Sequence, residues 1–130
     1  MKLINPAGWP RPSGYSNGVV EGGSLFVSGQ VGWDENGSFP SDLVAQIRKA
    51  LENVRAVIEA AGAKPAQIVR LTWYVTDRQV YKQRRAEIGA TYREVIGRHF
   101  PAMSVVEVSG LIEDDAKVEI EATVALATLD

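Results

Sequence analysis

The chain has 130 residues, 45% hydrophobic and 23% charged, with a net charge of −2, one histidine and no cysteine. That length fits a single domain over residues 1–130 with a modest core, and the charge gives no drive toward nucleic acid or an anionic membrane. Disulfides, a thiolate nucleophile and Cys-ligated zinc are excluded, no run of about 18 apolar residues exists, and the N-terminal residues lack a signal-type apolar segment, so a cytoplasmic protein without a membrane partner is expected.

Residues 5–14 are rich in Pro and Gly and read as an extended arm. A hairpin follows: Val19-Val20, a Gly22-Gly23 turn, then a strand from Leu25 to Val31. DENGS at 34–38 is a second turn signal. Leu43, Val44, Ile47, Leu51, Val54, Ile58 and Ala61 recur at three- and four-residue steps and predict a helix over 42–61, with Ser41 or Asp42 as its cap and Gly62 as its stop. IVRLTWYVT, 68–76, has strand composition. Asp77 caps a second predicted helix whose stripe is Val80, Tyr81, Ile88, Tyr92, Val95 and Ile96, ending at Gly97. AMSVVEVSGL (102–111) and KVEIEATVALATL (117–129) are two further strands, joined by an acidic turn.

The order ββ-α-β-α-ββ gives an α+β domain: a mixed sheet with two helices on one face. The bare face carries Phe26, Trp73 or Tyr74, and members of 103–108, and an uncovered apolar face favours association. A homo-oligomer follows, with sheets covering one another.

Chemistry-bearing groups are few. Glu119 and Glu121 sit two apart on one strand and share a face. A solvated edge would look the same, but a carboxylate facing a neighbouring subunit needs a partner or a task. His99, alone and without cysteine, makes a transition-metal site a poor expectation, so neither metal nor cofactor is expected. Arg78, Lys82, Arg84 and Arg85 fit the exposed face of an amphipathic helix better than an RNA surface. The strand LFVSGQV is the anomaly, because Ser28-Gly29-Gln30 places a small, polar notch where a core strand should pack. Tyr15 upstream and Glu119 downstream could line a pocket for a small polar substrate and a water.

GYSNGV (14–19), LFVSGQVG (25–32), QIRKALENVRAVIEAAGA (46–63), YVTD (74–77), FPAMSVVEV (100–108) and VEIEATVAL (118–126), in this order, resemble the Rid family. These are reactive-intermediate imine and enamine deaminases, also called the YjgF or L-PSP endoribonuclease-like family. The resemblance covers nearly the whole chain. It implies a chorismate-mutase-like fold and a homotrimer with a small-molecule site at each subunit interface. It also implies a pocket of Tyr15, Ser28, Gly29, Met103 and Ser104, with Glu119 directing the hydrolytic water and Ser28 holding substrate. Deaminating members carry an arginine after FPA to grip the substrate carboxylate; here that position is Met103, an apolar side chain. Arg11, Arg78 and Arg93 are the candidate substitutes. The expected activity is hydrolysis of an imine or related C=N metabolite by water, without metal or covalent nucleophile. The alternatives are a non-catalytic metabolite-binding trimer and, third, the endoribonuclease or translation-inhibitor activity in the family name.

Overall fold

A computed structural model describes residues 1–126. Six strands form one sheet: β1 (Lys2–Ile4), β2 (Gly18–Glu21), β3 (Ser24–Val31), β4 (Ile68–Val75), β5 (Ala102–Glu107) and β6 (Val118–Ala125). Their spatial order is β1-β2-β3-β6-β4-β5. All neighbours are antiparallel except β4 and β5, which run parallel. The helices α1 (Leu43–Ala60), α2 (Arg78–Gln83) and α3 (Arg85–Val95) complete the domain. No helix among the described residues is long and apolar enough to cross a membrane.

The predicted hairpin forms. Gly22 and Gly23 both take positive φ, 59° and 79°, between Glu21 and its partner Ser24, as a two-residue turn matched to strand twist requires. Asp42 caps α1 by accepting a hydrogen bond from the Ala45 N–H at 3.1 Å. Below it Leu43, Ile47, Ala50, Leu51, Val54, Val57 and Ile58 are buried, as the helical stripe requires. They pack onto Leu25 and Val27 of β3 and onto Val118, Ile120, Ala122 and Val124 of β6, all core members. The alternation in β6 is complete, with Glu119, Glu121 and Thr123 on the uncovered side.

The structure corrects the sequence reading in four places. Lys2–Ile4 forms an edge strand on β2 that three residues could not announce. A one-turn 3₁₀ helix at Pro65–Gln67 precedes β4. The second predicted helix is two segments that meet at Arg84 (φ −108°, ψ 19°). Its apolar stripe runs through Val80 and Tyr81 but needs an apolar residue at 84 or 85, and both are arginine. Arg84 turns outward instead, to Asp42 at 2.7 Å and Glu87 at 2.7 Å. Finally, the fifth strand stops at Glu107 rather than 111. The sixth stops at Ala125, and the predicted residues 127–129 lie outside the described ones. Of the choice between Trp73 and Tyr74, Trp73 is the buried one, edge-on to Tyr81, and Tyr74 takes the bare face. That face also exposes Phe26 (49%), Val106 (43%) and, on β1, Leu3 (56%).

Candidate active site

The polar notch in β3 is a β-bulge. Val27 pairs with Ala122, but the next pair is Gln30 with Ile120, so Ser28 and Gly29 together oppose Glu121. The extra residue turns Gln30 to the covered side, where it is 4% exposed. Its amide donates to Asn17 Oδ1 at 3.3 Å and to the Ser28 carbonyl at 3.2 Å. The Ser28 N–H and hydroxyl both donate to the Asn17 carbonyl, at 2.9 and 3.1 Å. The notch therefore meets its hydrogen-bonding needs internally. Ser28 is a pin between β3 and Asn17, the residue before β2, and its hydroxyl proton is committed within the chain.

Gly29 has a different partner. A Cβ added there would lie 2.5 Å from Glu119 Oε2 and 2.6 Å from its Cδ. The strand is small at this point because the Glu119 carboxyl group rests on it. Burial, and then the negative charge of Glu121, raises the Glu119 pKa above the ordinary carboxylate value. Across the sheet Tyr74 is register-paired with Glu119, yet its hydroxyl reaches diagonally and donates to Glu121 Oε1 at 2.7 Å. That bond, followed by burial and the two carboxylates, raises the Tyr74 pKa and keeps its proton in place. Sequence reasoning placed Glu121 beside Glu119 and left Trp73 or Tyr74 open for the bare face, but missed the Tyr74–Glu121 bond. The signal was the register of β4 against β6, which no local pattern encodes.

The other predicted site residues are elsewhere in this one chain. Tyr15 lines a cleft of about 500 Å³ beneath the N-terminal arm, together with Trp9, Arg11, Trp33, Lys49 and Asn53. Ser104 is on the bare face, in the row of Thr72 and Glu121 but two strands from β6. Met103 is in the row of Leu71, on the opposite side of the sheet from Glu119, and half-exposed at the outer strand. Ser28, Gly29 and Glu119 are brought together; Tyr15, Met103 and Ser104 are not. Of the three candidate arginines, Arg78 is drawn to Glu107, which accepts from its backbone N–H at 2.9 Å. Arg93 is exposed on α3. Only Arg11 shares a cleft with Tyr15. His99 uses its ring N–H to hold the Ile68 carbonyl at 2.7 Å. Among the described residues, no group of three or more His, Asp or Glu side chains is placed to hold a metal ion.

Residues 10–126 of this chain match the family described as Endoribonuclease L-PSP. The chain belongs to that family. Among curated L-PSP relatives, 2-iminobutanoate/2-iminopropanoate deaminase of Escherichia coli is 41% identical over 112 residues, 83% of this chain and 84% of the relative. The crystal structure of the E. coli YjgF gene product superposes with a TM-score of 0.82 at 38% identity, covering 96% of this chain and 98% of that one. E. coli TdcF with bound serine gives the same TM-score at 34% identity, with the same coverage. The L-PSP match begins in the arm, at Pro10, so it takes in Arg11 and Tyr15 as well as Glu119.

Proposed function

We propose that this protein is a Rid-type imine deaminase. The observation that carries it is the Glu119 carboxyl group on the bare Gly29 backbone, half-buried and with a raised pKa, in a chain 41% identical to a 2-iminobutanoate/2-iminopropanoate deaminase. A carboxylate whose pKa is lifted toward neutrality is a better proton acceptor at working pH. Glu119 takes a proton from water as the water oxygen bonds to the imine carbon. It passes that proton to the imine nitrogen to give a carbinolamine, then takes the carbinolamine hydroxyl proton and delivers it to the same nitrogen, so that the C–N bond breaks as the C=O bond forms and ammonia leaves. The products are a carbonyl compound and ammonia. Water is the only co-reactant.

The bare sheet face supports assembly. Leu3, Phe26 and Val106 are each more than 40% exposed on it, around the half-buried Glu119 and Glu121. We infer a homotrimer in which a neighbouring chain covers this face, and in which Met103 and Ser104 of one subunit approach the Glu119 of another. Arg11, in the Tyr15 cleft, then takes the role of the arginine that Met103 replaces. The test is the hydrolysis of 2-iminopropanoate generated in situ, compared with its spontaneous decay. Wild type should accelerate it, and Glu119→Gln should lose about 10²–10⁴-fold while keeping its assembly. Equal rates for the two proteins would overturn the role of Glu119.

Met103 favours a second reading, a metabolite-binding trimer without turnover. An apolar side chain at that position cannot make the bidentate bond that a carboxylate requires. Saturable binding of an imine analogue with no acceleration of imine decay would select it.

A further inference from the structure

Glu119 and Glu121 face the same side of β6, and each has a different companion. Glu119 rests on Gly29, against backbone that offers it no side-chain donor. Glu121 receives the Tyr74 hydroxyl at 2.7 Å. We propose that Tyr74 is a positioning residue: by donating to Glu121, it keeps the proton taken from water on Glu119 instead of letting it pass to the neighbouring carboxylate. This rests on the deaminase reading for its purpose, though not for its measurement.

The argument is one of asymmetry. Two carboxylates close together on one face share protons, and which of them holds the proton depends on what each is bonded to. A phenol O–H pointed at a carboxylate oxygen favours the charged carboxylate, because a charge-assisted bond of this kind is stronger than a neutral one. Glu119 has no such donor among the described residues. It also bears the burial and feels the charge of Glu121, which both favour its protonated form. The remaining surroundings are consistent. From β3 the nearby groups are Ser28, Gly29 and Val31, and from β5 they are Ser104 and Val106, all uncharged. On β4 the charged group on this side is Arg70, two residues before Thr72 and paired with Thr123, one step beyond Glu121 on the same face. The helices lie behind the sheet. Arg70 lies nearer Glu121 without bonding it, and Tyr74 is the donor hydrogen-bonded to one carboxylate and not to the other.

Direct titration tests this. In uniformly ¹³C-labelled protein, the Glu119 side-chain carboxyl signal is assigned by its absence in Glu119→Gln and followed with pH in wild type, Tyr74→Phe and Glu121→Gln. Glu121→Gln should move the Glu119 midpoint to lower pH by roughly half a unit, the size of one unit charge about 6 Å away, and Tyr74→Phe should move it in the same direction by less. In an active protein, the acid limb of the kcat profile should move with it. A fall in Glu121→Gln with no change in Tyr74→Phe would reduce Tyr74 to packing and overturn the proposal. No change in either variant would overturn it too. Phe keeps the ring and its packing, so Tyr74→Phe is the folded variant that decides the role of Tyr74, while Glu121→Gln sets the size of the full charge effect. An active Glu119→Gln enzyme would defeat the deaminase reading while leaving the titration to decide on Tyr74.

Discussion

The carboxyl group of Glu119 lies over the bare α-carbon of Gly29, so close that a single methyl at that position would stand 2.5 Å from Oε2. A backbone feature of one strand thereby fixes a side chain of its neighbour.

Gly29→Ala should therefore damage the site without unfolding the protein. The clashing atoms belong to a side chain that can swing away, and Gly29 needs no positive φ. Displacing a catalytic carboxylate by about 1 Å can cost on the order of 10²-fold in rate. We expect a loss of that order in imine hydrolysis, with a circular dichroism spectrum and assembly like wild type. Full activity would show that Glu119 works from another position.

The stability of the protein should respond to Glu119 in the opposite sense to its activity. A carboxylate whose pKa is raised by folding is less favourable when ionised in the folded state than in the unfolded one. Between the ordinary glutamate pKa and the raised one, the folded state binds more protons. Stability therefore falls as pH rises through that window, and the cost is complete above it. Glu119→Gln removes the cost. Its Tm should exceed that of wild type at pH 7, and the gap should close by about pH 4, below the ordinary value. A lower Tm for the variant at pH 7 would mean that the ionised carboxylate is a net stabilising group.

Light scattering behind a size-exclusion column should give about three times the 14.1 kDa chain mass at micromolar concentration. Phe26→Glu, on the bare face, should shift the protein toward monomer. A monomeric wild type would remove the intersubunit cleft and, with it, any role for Met103 beside Glu119.

Substrate preference should follow the two positions that stand in for one arginine. Arg11→Ala should raise KM for a small 2-iminoacid about tenfold or more, as expected for a lost charged hydrogen bond, and alter kcat less. Met103→Arg should lower KM if the trimer accepts the charge. An unchanged KM in Arg11→Ala would exclude Arg11 as the carboxylate grip.

Much of this architecture is legible along the chain, and the exceptions share a cause. The α1 stripe, the Gly22-Gly23 turn and the β6 alternation are periodic and local, so each can be read without its surroundings. The break at Arg84 is foreshadowed by two arginines where the stripe wants an apolar residue. Glu119 and Gly29, 90 residues apart in number, are assigned to one pocket by the sequence, but their direct contact depends on the register of β3 against β6. Ser28 drew notice as a possible ligand group, and only the fold shows its proton spent on Asn17. The Tyr74–Glu121 bond and the cleft shared by Arg11 and Tyr15 are tertiary in the same way.

Among the described residues, the strand latest in sequence, β6, is a middle strand of the sheet, lying between β3 and β4. During synthesis, β3 and β4 must each wait with an unpaired edge until β6 leaves the ribosome. The largest loop in the molecule, from residue 31 to residue 119, closes only then. Pairings of such long range carry a large entropic toll before they return any bonds, so refolding is expected on the slower, millisecond-to-second scale of β-rich domains. Because Glu119 rides on that strand, the candidate catalytic group arrives with the strand that closes the sheet, and a nascent chain with its centre still open holds none of the chemistry.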